Sequence, residues 1–137
     1  MVLLIDTNII IDVAAHREPF MEKSLSVIEL CADSKVTGYL SSRSFCDIFY
    51  ILRKAMSPAL RKEYIKEIRK YLNTAIITDE IIDKALANDD ITDFEDAIQY
   101  ACAGSIDADY IVTRNIQDFG NGPVKAVTPE ELLELLG

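Results

Sequence analysis

Five side chains in this 137-residue sequence stand where acids and amides could work together: Asp6, Asp47, Asp96, Asn115 and Asp118. Asp6 follows the apolar run Val2–Ile5, a short strand by its composition. It therefore sits at a strand's carboxyl end, where open α/β sheets bind ligands and metals. Asp47 lies in Ser41-Ser42-Arg43-Ser44-Phe45-Cys46-Asp47-Ile48-Phe49, among apolar neighbours that make an unpaired carboxylate unfavourable. Asp96 belongs to Thr92-Asp93-Phe94-Glu95-Asp96-Ala97, and Asn115 and Asp118 follow a later strand in Thr113-Arg114-Asn115-Ile116-Gln117-Asp118. Each also has a plainer role: Asp6 as a helix cap, Asp47 on an exposed helical face, the acids of 89–96 beside a helix dipole. Asp89, Asp90 and Glu95 take that solvated role. Asp93, three residues before Asp96, can lie beside it on a helix.

Carboxylates gathered in one pocket repel, and each raises its neighbour's pKa until a cation relieves the clash. Mg²⁺ and Mn²⁺ favour such hard oxygen ligands and keep several waters. Bound there, either ion polarises a phosphate and acidifies a water, so an acidic cluster without histidine or cysteine points to metal-dependent phosphodiester hydrolysis. An EF-hand is excluded because Asp89–Asp96 lacks the alternating ligands and central glycine. His16 is the single histidine, which excludes a histidine-rich metal site, and no GxSxG elbow supports a serine triad. Cys31, Cys46 and Cys102 are odd in number, far apart and set in apolar segments, so they read as buried thiols. The net charge of −9 argues against broad non-specific nucleic-acid binding. It leaves room for an enzyme that meets a phosphate through metal. No stretch is long enough to cross a bilayer and no leader pattern opens the chain, so the expectation is a cytoplasmic protein with one domain, 1–137.

The elements that must position these residues follow from patterning. Short apolar runs at Val2–Ile5, Gly38–Ser41, Ala75–Thr78, Tyr110–Thr113 and Val124–Val127 predict strands covered on both faces. Helical patterns span Glu22–Asp33, Ser44–Ala55, Leu60–Leu72, Asp79–Ala87, Phe94–Ser105 and Glu130–Leu136, and Ile9–Val13 suggests another. Ser57-Pro58 and Thr128-Pro129 place a cap before a proline suited to the first helical position. Thr128 with Glu131, and Thr92 with Glu95, have capping-box spacing. Strands alternating with helices predict a three-layer α/β/α sandwich around a mainly parallel sheet.

With these motifs in order along essentially the whole chain, the sequence resembles PIN domains, the fold of VapC-type ribonuclease toxins. The motifs are Leu4-Ile5-Asp6-Thr7-Asn8, Ser41 to Asp47, Asp93-Phe94-Glu95-Asp96-Ala97, and Val112-Thr113-Arg114-Asn115 with Asp118-Phe119. The resemblance implies that Asp6 and Asp96 hold Mg²⁺ or Mn²⁺. Asp47 stands where many members carry glutamate, and is also assigned to the metal. Asn115 falls where members often have aspartate, and Asp118 is the alternative fourth acid. Thr7 and Asn8 orient Asp6 by hydrogen bonds, Thr113 does so from the neighbouring strand, and Arg114 touches phosphate or pairs with an acid.

The activity implied is endoribonuclease cleavage of single-stranded or looped RNA, a metal-activated water leaving a 3′-hydroxyl and a 5′-phosphate. Arg43, Arg53, Lys54 and Arg114 are the candidate backbone contacts. The resemblance also implies an antitoxin protein that plugs the acidic pocket, and a homodimer. Two other functions compete. A PIN-like interaction module with a degraded site is left open by Asp47 and Asn115. A phospho-acceptor receiver domain is disfavoured because no second acid adjoins Asp6 and Arg114 stands where lysine is required.

Overall fold

Leu3, Leu4 and Ile5 are wholly buried, and this is what places the first strand, β1 (Val2–Ile5), at the centre of the molecule. The computed structural model describes residues 1–137. Around β1 lie β2 (Thr37–Ser41), β3 (Leu72–Ala75), β4 (Tyr110–Val112) and β5 (Lys125–Val127), in the order β3-β2-β1-β4-β5. Every pairing is parallel. The helices are α1 (Thr7–Ala14), α2 (Met21–Ala32), α3 (Ser42–Ile51), α4 (Pro58–Ile68), α5 (Asp79–Leu86), α6 (Phe94–Ser105) and α7 (Pro129–Leu136). Short 3₁₀ turns at Leu52–Lys54 and Ile116–Phe119 complete the chain.

The alternation of β1 divides the core. Leu3 and Ile5 pack with Ile9, Ile10, Val27, Ile48, Ile68 and Leu132 from α1, α2, α3, α4 and α7. Leu4, on the other face, packs with Ile81, Ala85, Ala97, Ile98 and Cys102 from α5 and α6. Two helical layers therefore enclose the sheet, the α/β/α arrangement expected from the patterning. Successive strands step from β1 out to β3, then return to the other side of β1. The direction of winding reverses there, so the carboxyl ends of β1 and β4 open a crevice at the topological switch point. Register sets that crevice: Ile5 lies opposite Val112, and the Asp6 amide donates to the Val112 carbonyl at 2.9 Å.

Several local expectations shift. The third strand is Leu72–Ala75, not Ala75–Thr78, and α4 ends at Ile68 rather than Leu72. Leu72 sits in the core opposite Gly38, whereas Ile76 is exposed and Thr78 caps α5 by accepting from Ile81 N–H. Apolar character alone misplaced this strand because Ile76 and Ile77 lie in the loop beyond it. The predicted helix Ser44–Ala55 starts at Ser42 and tightens to a 3₁₀ turn at Leu52. The cap of α6 is Asp93, not Thr92: its carboxylate accepts from Asp96 N–H at 3.0 Å. Cys31 and Cys102 are buried as expected, but Cys46 is exposed, on the outer side of α3.

Candidate functional site

Five of the helix N-caps behave alike. Ser41, Ser57, Thr78, Asp93 and Thr128 each accept a hydrogen bond from the backbone N–H three residues on. Asp6 occupies the same position before α1 with extended backbone (φ −69°, ψ 148°), yet its side chain makes no capping bond. Its carboxylate is held elsewhere. Thr113 Oγ1, wholly buried, donates to Asp6 Oδ2 at 2.8 Å, and Gln99 Nε2 approaches Oδ1 at 3.4 Å. Asp6 is the N-cap by backbone position, but its carboxylate is also held from the neighbouring strand end and from α6.

This carboxylate opens on a cavity of about 450 Å³ lined by Asp6, Thr7, Asn8, Arg17, Ser41, Arg43, Ser44, Asp47, Glu95, Asp96, Gln99, Asn115 and Asp118, with Ile11, Ile51 and Ile98 as its apolar members. Asp96 arrives from the first turn of α6, fixed by the Asp93 cap. Asn115 and Asp118 arrive from the segment after β4. Asn115 N–H donates to Thr113 Oγ1 at 3.0 Å, so one hydroxyl ties Asp6 to that segment. Phe119, buried in the core, anchors the 3₁₀ turn carrying Asp118. Gly120 follows with φ +66°, where a Cβ would collide with the Asp90 carboxylate; that carboxylate holds Asn121 N–H at 2.9 Å.

The electrostatics of the cavity are unrelieved. Burial raises the Asp6 pKa; the Thr113 hydrogen bond and the Thr7 and Asn8 amides pull it down, and Asp118 raises it further. Asp96 is pushed up to about 6, first by burial and then by Asp93, Asp118, Asp6 and Glu95. Neither these two nor Asp118 has a cationic partner, since the ion pairs of the lining join Arg43 to Asp47 and Glu95 instead. Two buried amide oxygens of the lining, Asn8 Oδ1 and Gln99 Oε1, also lack any hydrogen-bond donor. Unpaired carboxylates and orphaned amide oxygens make an all-oxygen donor set, which fits Mg²⁺ or Mn²⁺. No three of the acids converge on one point, so an ion here would take one or two carboxylates and complete its shell with water, the usual habit of Mg²⁺.

Other expected residues are placed differently. Asp47 lines the cavity, but its Oδ2 lies 3.4 Å from Arg43 Nε, and Arg43 reaches on to Glu95 at 2.9 Å. Glu95, expected to be merely solvated, is therefore part of the rim. The Thr7 hydroxyl donates to Ser44 Oγ at 2.8 Å and joins α1 to α3. The side chains of Thr7 and Asn8 do not orient Asp6; Thr113 and Gln99 do. Asp93 acts on Asp96 from the cap and does not line the cavity. Arg114 lies away from the cavity: its Nε donates to the fully buried Asp12 at 2.8 Å, and its guanidinium stacks 4.2 Å over the Phe20 ring. The phosphate role for Arg114 is replaced by the acid-pairing one. Arg53 and Lys54 do not line the cavity either, while Arg17 does and has no acidic partner.

Gln99, Arg17 and Asp12 escaped the sequence reading. Gln99 stands three residues after Asp96, hence on the same helical face. Asp12 is the charged residue in Ile9-Ile10-Ile11-Asp12-Val13, where burial demands a partner. Arg17 lies past the end of α1 and had no signal.

A family profile described as PIN domain matches residues 2–117. No curated protein sequence matches significantly. Among solved structures, the fold is similar to a toxin-antitoxin complex from Klebsiella pneumoniae (TM-score 0.71, 22% identity, 93% of this chain and 97% of that one). It is also similar to VapBC2 from Rickettsia felis bound to a DNA fragment from its promoter (TM-score 0.70, 18% identity, 93% and 98%). A third is VapC20 from Mycobacterium tuberculosis, a toxin that cleaves the sarcin-ricin loop (TM-score 0.62, 12% identity, 80% and 86%).

Proposed function

The chain belongs to the PIN-domain family, a family whose members are generally ribonucleases, and from that premise we propose that it is a Mg²⁺- or Mn²⁺-dependent endoribonuclease acting on single-stranded or looped RNA. The observation that carries this reading is the unpaired trio Asp6, Asp96 and Asp118 at the switch point, beside the orphaned oxygens of Asn8 and Gln99. Burial and acidic neighbours raise the Asp6 and Asp96 carboxyls, and a bound cation would relieve that repulsion. The ion supplies charge for a phosphate oxygen and acidifies a water nucleophile.

The chain's own residues do the rest. Thr113 and Gln99 fix both oxygens of Asp6, so its position is set before substrate arrives. Asp96, raised to about 6 by burial and by its acidic neighbours, is a carboxylate that a bound cation would hold in its ionised form. Asp118 and Asn115 line the same cavity from the segment after β4. Arg17, free of acidic partners, and Arg43, on the rim, are the cations placed to receive a phosphate.

We further propose a protein antitoxin that inserts a cation among these acids, and a homodimer; the antitoxin follows from neighbours that are toxin-antitoxin complexes. No helix is long and apolar enough to cross a membrane. A second reading, a weakened PIN module that binds without cleaving, draws on the Arg43 pairing that occupies Asp47 and Glu95. Purified protein incubated with a mixed-loop RNA separates the two. Cleavage with Mn²⁺ that EDTA and Asp6→Asn both abolish supports the nuclease. Silence with either metal across several pH values, with no metal binding by calorimetry, hands the case to the module.

A further inference from the structure

The charge of this protein is segregated. Residues 53–70 carry seven of its 14 lysines and arginines and only two of its 23 acids. Both of those acids, Glu63 and Glu67, are already paired, with Lys66 on α4 and with Lys70 just past its end. Arg53, Lys54, Lys62 and Arg69 are exposed cations with no acidic partner. They occupy the 3₁₀ turn, α4 and its C-cap Arg69, and the turn and α4 pack against α3.

Three arginines of this segment lie over aromatic rings of α3: Arg53 over Tyr50 at 3.9 Å, Arg61 over Phe49 at 4.1 Å, and Arg69 over Phe45 at 5.9 Å. Arg53 also donates to the Tyr50 carbonyl. Tyr50 remains 62% exposed, one ring face braced by a guanidinium and the other open. It stands three residues after Asp47 on α3, and Ile51, the next residue, lines the cavity. An open aromatic face beside unpaired cations, at the rim of an acidic catalytic cavity, has the chemistry of a single-strand nucleic-acid platform: bases stack and phosphates meet charge.

We propose that the face formed by α3, the Leu52–Lys54 turn and α4 is a flank site for single-stranded RNA, in which Tyr50 stacks a base next to the cleaved segment and Lys54, Lys62 and Arg69 take the adjoining phosphates. This rests on the ribonuclease reading for its placement but not for its readout. The site binds without metal, because the cations that attract the strand lie outside the acidic cavity.

The test is fluorescence anisotropy of a labelled single-stranded RNA decamer in EDTA, alongside cleavage with Mn²⁺. Tyr50→Ala should weaken binding about tenfold, and Tyr50→Trp should restore it. Lys54→Ala, Lys62→Ala and Arg69→Ala combined should flatten the dependence of log affinity on log salt by about 2, at roughly 0.7 per phosphate on a single strand. Cleavage of a dinucleotide, which lacks the flanking nucleotides, should be unchanged in each variant. Because all these side chains are exposed, thermal melts report any loss of fold directly. Cleavage by wild type together with decamer binding that ignores every substitution overturns the flank site and leaves the nuclease standing. Tyr50-dependent binding without cleavage keeps the flank site and removes the nuclease. If the substitutions instead change only the mass seen by light scattering, the face is a protein interface and the proposal fails. No binding and no cleavage by wild type removes both.

Discussion

An aspartate stands near each end of the short helix α1, half-buried Asp6 and fully buried Asp12, and the two are treated in opposite ways. Asp12 is wholly buried, yet Arg114 and Ser24 both donate to its Oδ2. Asp6 is met by a hydroxyl and an amide, with no cation, and other acids crowd it. The protein places an arginine against one acid and leaves the other without a countercharge, about two helical turns away, a division that matches the function proposed for Asp6. The Asp12–Arg114 pair ties α1 to the segment after β4. The Asp6 end leaves its charge for something from outside. The lesson is that a buried carboxylate marks a site through what its neighbours fail to supply.

If that contrast is right, the two ends should break differently. The largest effect is expected from Arg114→Met, which leaves Asp12 buried without its cation. Removing one partner of a buried pair costs about 3–5 kcal/mol, so urea unfolding should show a midpoint far below wild type. An unchanged midpoint would mean that Asp12 draws little from Arg114. At the other end, Asp6→Asn removes charge that nothing in the protein balances. Metal-supported cleavage should fall about 10²–10³-fold, in the range seen when a transition-state charge contact is lost, while the unfolding midpoint holds or rises. A large loss of stability in Asp6→Asn would show that its carboxylate is structural after all.

Much of this was legible beforehand, for reasons that differ by residue. The strand ends were readable because Val2–Ile5 and Tyr110–Val112 are apolar on both faces, and only a parallel sheet covered by helices buries both. That put Asp6, Asn115 and Asp118 at one edge without any tertiary information. The third strand was missed because Ile76 and Ile77 are as apolar as core residues, and only Leu72 pairing with Gly38 reveals the register. The side-chain partners of Thr7 and Arg114 could not be read because they lie far along the chain: Ser44 for one, and for the other Asp12, the acid-pairing role left open for Arg114. Net charge says least about placement. A total of −9 conceals a cationic stretch at 53–70, since a sum has no geometry.

A smaller effect tests how Asp6 is held. Thr113→Val keeps shape and burial but removes the hydroxyl that lowers the Asp6 pKa and anchors Asn115. Cleavage should drop about tenfold, as for loss of one positioned hydrogen bond to a charged group, and the acidic limb of the pH–rate profile should move to higher pH. A profile that falls without shifting would assign Thr113 to the Asn115 turn alone.

The smallest effect bears most directly on the comparison, because it asks whether the free cavity is under electrostatic strain. The Asp96 carboxyl is raised from its ordinary 3.8 to about 6, so the fold prefers it protonated. Its contribution to stability is therefore fully present below about pH 4 and is lost as pH rises through 6. Above that the ionised group opposes folding. Asp96→Asn removes the ionisation, and in EDTA at pH 7.5 it should stabilise the protein by about 1 kcal/mol, discounted for solvent screening of a group this exposed. That corresponds to about 3 °C in Tm for a chain of this length. The advantage should shrink as pH is lowered towards 4, where the wild-type carboxyl is itself neutral. Saturating Mn²⁺ should reverse the order, since a cation that binds the folded carboxylates raises wild-type stability more than that of the variant. Asp12 offers the control: Asp12→Asn weakens the Arg114 pair and should destabilise in EDTA and Mn²⁺ alike. If Asp96→Asn is no more stable than wild type in EDTA, the cavity carries no unrelieved charge and the distinction between the two ends of α1 collapses.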